Sequence, residues 1–299
     1  MRKILLIFII SISSVLAQSA GNSGMAFLKL GFSARNISMG DVSSVSSGDV
    51  SSLFYNPAGL AGLKGNEVML MHNSWIQGTN SNVLGVQTTV WSLPLAFGFN
   101  VTSVNDIQVR TRATAQPDAT FDANFFFGSM STGFYVYDNV AFGATIKYLY
   151  EGLYSEEATG WGFDFGLNYK SPIDGLSAVA VLKNAGSMNI LKNESTKLPT
   201  DFRIGPAYKF NVLNDKFGIT AAAEFQKYLP ANDNHFDFGL EILYDNLIAL
   251  RGGYQSGYES KSFTGGFGLI WGNFGLDYAF QPFIDGLGDA SIFSIKFKF

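Results

Sequence analysis

From residue 67 onward, apolar and polar positions alternate with a period of two. In Val140 to Tyr150, Val140, Phe142, Ala144, Ile146, Tyr148 and Tyr150 share one face, while Ala141, Gly143, Thr145 and Lys147 share the other. The same alternation runs through Trp161–Tyr169, Phe236–Tyr244, Phe274–Phe280 and Phe293–Phe299. This is the strand period, and a helical period of 3.6 fits none of these stretches. The pattern predicts strands near 67–73, 83–91, 94–103, 121–137, 140–150, 161–170, 176–184, 201–210, 217–227, 235–244, 247–254, 262–271, 273–281 and 291–299. Ser92-Leu93, Asp138-Asn139, Pro172 to Gly175, Asn214-Asp215, Asp245-Asn246 and Gly272-Asn273 read as tight turns, most of them rich in residues that tolerate positive φ. The alternate connections read as longer loops, notably 104–120, 151–160 and 185–200.

An alternating sheet also suits a soluble β-sandwich, but here the apolar face is crowded with Phe and ends in Tyr or Trp. That composition fits a lipid belt with interfacial girdles, and the opposite face of Gly, Thr, Asn, Asp, Lys and Arg fits a polar lumen. The reading is an all-β transmembrane antiparallel β-barrel of about 14 strands in the bacterial outer membrane. Its even strand count places both ends of the barrel in the periplasm. No stretch beyond the N-terminus is apolar enough for a spanning helix, and a closed barrel is the other way to satisfy the backbone in lipid.

The N-terminus reads as an export signal over 1–17. Arg2 and Lys3 precede a short apolar core, and Val15-Leu16-Ala17 offers small or compact residues for cleavage before Gln18. Residues 18–66 do not alternate. Within them, 41–52 is small and polar and leads into Leu53, and Pro57 then drives Asn56 out of the helical region. This segment is expected to be either a periplasmic lead-in or a plug folded into the lumen, with the barrel occupying 67–299.

Composition narrows the function. The 299 residues include no cysteine, so no disulfide framework stabilises an exported chain. Only 15% of residues are charged, and a net charge of −4 with a pI near 5.2 argues against a nucleic-acid partner. The two histidines, His72 and His235, lie far apart and offer no metal cluster. No Gly-x-Ser-x-Gly elbow supports a nucleophile, and the glycines of 265–272 alternate as a strand and open no phosphate-binding helix. The expectation is therefore a non-enzymatic protein with no catalytic residue, metal or cofactor. Lys147, Asp164, Arg203, Lys209, Glu224, Asp237, Glu241, Arg251 and Asp277 all fall on the polar face of their strands. They are expected to pair inside the lumen, the alternative being a charged permeation path.

The run Gly31-Phe-Ser-Ala-Arg-Asn-Ile-Ser-Met-Gly40, followed by Asp49-Val-Ser-Ser-Leu-Phe-Tyr-Asn-Pro-Ala-Gly-Leu-Ala-Gly62, resembles the opening of the PorV/PorQ family. That family is related to FadL-type transport barrels. Leu250 to Gly257 and Leu276 to Phe283 look similar as well, so the resemblance spans the mature chain. It implies that Asn56, Pro57, Ala58 and Gly59 form an N-terminal hatch motif. It also implies that the closing strand, with Phe297 and Phe299, resembles the signal read by the barrel-assembly machinery. Where the family pattern often carries Ala-Asp-Asp-Ala before this box, the chain reads Ser-Gly-Asp-Val, leaving any acidic role there to Asp49. The implied function is a docking or shuttle component of type IX protein secretion, with secretion-system proteins and cargo as partners. The alternative is a FadL-like passive transporter of hydrophobic compounds, with a hydrophobic small molecule as ligand. Outer-membrane lipid is a partner under either reading.

Overall fold

The structure, a computed structural model, describes residues 24–45, 48–192 and 194–299, and the stretch read as an export signal lies outside them. Fourteen antiparallel strands close into one barrel. They are β1 (Glu67–Ser74), β2 (Thr79–Val90), β3 (Leu93–Val109), β4 (Ala119–Tyr137), β5 (Val140–Leu153), β6 (Glu156–Lys170) and β7 (Leu176–Met188). The circuit continues with β8 (Asp201–Val212), β9 (Phe217–Tyr228), β10 (Asp233–Tyr244), β11 (Ile248–Ser256), β12 (Phe263–Trp271), β13 (Phe274–Pro282) and β14 (Asp289–Lys298). Each strand pairs with its neighbour in the chain, and β1 pairs with β14 from Glu67↔Lys298 to Ser74↔Ser291 to close the circle. Closure leaves no edge of unpaired backbone groups for lipid to meet.

Burial along each strand is the inverse of a soluble protein's. On β10, Phe236, Phe238 and Leu240 keep 46–47% of their surface exposed, while Asp237 keeps 1%. Large apolar side chains cover the outside and charges lie within, so this is an outer-membrane β-barrel. No described helix is long and apolar enough to cross a membrane, and the crossing is made by strands. At the end of the barrel holding the tightest turns, Trp91, Ile173, Leu213 and Trp271 are exposed at or beside the turns, as interfacial residues are.

All fourteen expected strands form, but their outer ends differ from the expectation. The connection expected over 151–160 is a two-residue turn at Tyr154 and Ser155, with Leu153 opposite Glu156. Glu151, Glu156 and Glu157 looked like loop because they interrupt the apolar alternation. Beyond the bilayer, however, the outward face no longer meets hydrocarbon and the strands simply continue. The connection after β3 likewise shrinks to 110–118, and β3 and β4 reach 17 and 19 residues against 8 for β1. A bilayer needs only about 9–11 residues per strand, so the β3–β4 side stands above the rest of the rim. In the 185–200 connection, Ile190–Leu191 and Glu194–Ser195 pair as a small hairpin. The first tight turn falls on Trp91 and Ser92, one residue earlier than expected, because Leu93 already pairs with Val90.

Candidate functional site

The described residues before β1 fold into short helical pieces that lie inside the barrel. Ala26–Lys29, Ser43–Val45 and Pro57–Leu60 are 3-10 turns, and α1 (Ala34–Ser38) and α2 (Ser52–Tyr55) are short α-helices. This segment touches all fourteen strands. Val50 N donates to Glu67 of β1 at 2.9 Å, Phe54 packs over Gly85 of β2, and α2 meets β3 and β4. Pro57–Leu60 lies on β4, β5 and β6, Ser43–Val45 on β7, β8 and β9, Met39 on Gly239 of β10, and α1 on β11 to β14. An element in contact with the whole circumference must occupy the lumen.

Inward-facing glycines make this fit. Gly133, Gly143 and Gly166 stand side by side on β4, β5 and β6, joined by the pairs Gly133↔Gly143 and Gly143↔Gly166. The Asn56-Pro57-Ala58 backbone rests on this shelf, and a Cβ on Gly143 would overlap Pro57 C and Ala58 N. A side chain at any of the three would displace the motif, which is why the wall carries hydrogen there. Asn56 secures the contact at both ends. Its Oδ1 accepts from Ala58 N at 3.0 Å, and its Nδ2 donates to Leu167 O of β6 at 3.3 Å. Gly239 and Gly253, paired across β10 and β11, similarly receive Met39 and Gly40.

Toward the end with the tight turns, six charges form a closed ring of alternating sign. Arg35 of α1 donates through Nε and Nη2 to the two oxygens of Glu241, at 3.0 and 2.8 Å. Arg251 bridges Glu241 at 2.6 Å and Asp277 at 2.7 Å. Lys296 joins Asp277 at 3.4 Å to Asp49 at 3.1 Å, and Asp49 returns to Arg35 at 3.9 Å. Two members belong to the segment and four to β10, β11, β13 and β14. Burial alone would raise the Asp49 carboxyl, but Lys296 and Arg35 outweigh it and hold the group well below the usual carboxylate range. The ring borders a polar cavity of about 250 Å³, also lined by Lys209, Glu67 and Lys298.

A second set ties the middle of the segment to β8 and β9. Arg203 donates to Asp201 at 2.7 Å, to Asp41 O at 3.0 Å and to Glu224 at 3.4 Å. Glu224 accepts from the backbone and hydroxyl of Ser43. Tyr55 Oη donates to Asp41 at 2.6 Å and accepts from Phe32 N at 3.0 Å. Burial, then Asp41, push the Tyr55 phenol up, so it stays a protonated donor. Lys147, Asp164 and Asn184 form a third cluster within the wall, with Lys147 Nζ 2.7 Å from Asp164.

The structure thus brings Glu241, Arg251 and Asp277 into one ring, Arg203 and Glu224 into a second network, and Lys147 and Asp164 into a third. Lys209 lies exposed at the cavity mouth, and neither Asp237 oxygen has a hydrogen-bond partner. Phe297 points outward, stacked between Phe274 and Phe299, and Phe299 exchanges backbone hydrogen bonds with Asn66. His72 faces outward and His235 inward, and no described group of His, Cys, Asp or Glu could hold a metal ion.

Sequence reasoning missed the apolar part of the site. Toward the outer rim, Phe27, Phe32 and Phe54 of the segment pack with Phe125 and Phe127 of β4, at ring-centroid distances of 5.2 to 6.2 Å. Phe127 is 1% exposed and points inward from a strand whose alternation is broken by three successive phenylalanines, 125 to 127. That broken alternation was the available signal: an apolar residue on the polar face needs an apolar partner in the lumen.

No protein-family model matches the chain, and no curated protein matches it. Its fold is similar to those of several solved channels. The toluene transporter TodX of Pseudomonas putida superposes with a TM-score of 0.62 at 15% identity, over 89% of this chain and 96% of that one. The monoaromatic hydrocarbon channel CymD gives 0.63 at 12% identity, over 90% and 98%. A FadL homologue from Pseudomonas aeruginosa gives 0.53 at 12%, over 87% and 96%. At these identities the likeness establishes a FadL-like barrel fold.

Proposed function

We propose that the chain is a passive channel that lets hydrophobic compounds cross the outer membrane, with residues 18–66 as its hatch. The aromatic cluster of Phe27, Phe32, Phe54, Phe125 and Phe127 carries this reading. It is the aromatic part of a larger apolar core inside the barrel, with Met25, Leu53, Met69 and Leu149, and it lies toward the outer opening, where an aromatic or aliphatic solute can replace ring–ring contacts one for one. The hatch motif Asn56-Pro57-Ala58-Gly59 on its glycine shelf then holds the closed state. The likeness to TodX and CymD supports hydrophobic solutes as the transported class. Among the described residues no feature is specific to a docking role in type IX secretion, the function implied by the PorV/PorQ resemblance.

Uptake of labelled toluene and of oleate by cells with the chain as their sole hydrophobic channel tests the proposal. Uptake above the empty-vector rate for either probe is the expected result. A rate equal to the empty vector, together with co-purification of secretion-system proteins, would move the assignment to docking.

A further inference from the structure

The outer surface of the barrel carries a depression at its closing seam. Around most of the wall, aromatic side chains project into the lipid, but β1 and β2 project none. Their outward positions are Val68, Leu70, His72 and Ser74 on β1, and Asn80, Asn82, Leu84, Val86, Thr88 and Val90 on β2. Phe293 on β14 and Phe99 on β3 stand on either side. Between these walls lies a groove of about 460 Å³, floored by Leu70 and Leu84. One end is polar. His72 Nδ1 meets Asn82 Oδ1 at 2.8 Å, and His72 Nε2 meets Ser74 Oγ at 3.2 Å. His72 shares its cross-strand row with Phe293 and, through it, with Tyr278. Tyrosine marks the interfacial level of a barrel.

We propose that this groove binds one acyl chain of a phosphorylated outer-leaflet lipid, with the lipid head held at His72 and Asn82. The groove is continuous with the lipid-facing belt, so hydrocarbon must fill it, and an unfilled slot would forfeit dispersion contacts along both walls. Polar side chains on a lipid face are costly unless hydrogen-bonded. The His72–Asn82–Ser74 set satisfies itself in part and, with Asn82 Oδ1 taken, leaves the Asn82 amide to donate to a phosphate oxygen. A chain lying there covers the β14–β1 junction, where the two ends of the barrel sequence meet over eight residue pairs. The proposal does not depend on what the lumen transports.

The test is native mass spectrometry of the purified full-length chain, released from detergent after titration with dioleoyl phosphatidylglycerol. Wild type is expected to retain one lipid. Leu84→Trp, which fills the groove from an outward position, is expected to weaken retention about tenfold. His72→Phe, which keeps the bulk and removes the polar end, is expected to weaken it several-fold. Leu240→Trp, on the far side of the barrel, should retain lipid as wild type does. Heat-modifiable gel migration checks that each variant is folded. Equal retention by wild type and Leu84→Trp overturns the groove as the site. Equal retention of dioleoylglycerol, or no effect of His72→Phe, overturns the role of the phosphate.

Discussion

Toward the outer rim, the lumenal segment meets the wall through phenylalanine rings. Toward the periplasm, it meets the wall through Arg35 and Asp49 in a ring of six charges. The two contacts fail in different ways. Apolar burial is non-directional, so on the proposed channel reading an apolar solute can take the place of one ring between Phe32 and Phe127 while the surfaces stay dry. The charge ring is directional, and withdrawing Arg35 or Asp49 strands a partner in a poorly solvated place. The outer contact is therefore suited to yielding to a solute, and the periplasmic contact to holding until the segment moves as a unit.

Removing both contacts should have the largest effect. Deleting residues 18–62 is expected to leave an inserted barrel with greatly raised ion conductance in planar bilayers. Unchanged conductance would return the segment to the status of a tail. Gly143→Val attacks the glycine shelf that seats Asn56 to Ala58, apart from both contacts. Its side chain meets the backbone of Pro57 and Ala58, an overpacking cost of at least about 3 kcal/mol, and frequent opening bursts are expected. Two single substitutions separate the halves. Phe32→Ala opens an apolar void at a cost of about 3–5 kcal/mol and should raise toluene uptake without an ion leak. Arg35→Met should do the reverse, admitting ions while uptake stays near wild type. Its cost should be only about 1–3 kcal/mol, because Arg35 keeps 21% of its side chain exposed at the cavity. If both variants leak ions equally, the two halves act as one.

The smallest expected effect is that of pH. The Asp49 carboxyl has a lower pKa folded than unfolded, so its stabilising contribution is fully present above the unfolded value of about 3.9. It is lost as pH falls through the folded value. Conductance should thus be the same at pH 7 and pH 5, with a leak appearing only below about pH 4. A leak that begins at pH 5 would assign the latch to another carboxylate.

The strands were legible because lipid outside and polar groups inside impose a period of two on every residue between them. Asn214-Asp215 and Asp245-Asn246 were legible as turns because few residues accept the positive φ found at all four positions. The charge ring was not. Glu241, Arg251 and Asp277 could each be placed on the polar face, but which charges meet depends on the stagger around fourteen strands and on where Arg35 enters. The glycine shelf was hidden for a related reason. Gly133, Gly143 and Gly166 look like any small lumenal residues until Asn56 and Pro57 are laid across them. Only the outer ends of β3, β5 and β6 and the start of β4, within 104–120 and 151–160, were misread as loops, because outside the bilayer nothing enforces the alternation.

The charges of the lumenal segment have one further consequence. The part of it between Gly24 and Gly62 carries Lys29, Arg35, Asp41 and Asp49, two of each sign, while Lys64 lies exposed just before β1. The four wall members of the ring, Glu241, Arg251, Asp277 and Lys296, also cancel. An elementary charge carried across 100 mV gains about 2.3 kcal/mol, but a neutral body gains nothing. A Donnan potential across the outer membrane therefore has no net charge to pull on when the segment moves. On the proposed channel reading, the bias for opening then falls to the solute rather than to the field.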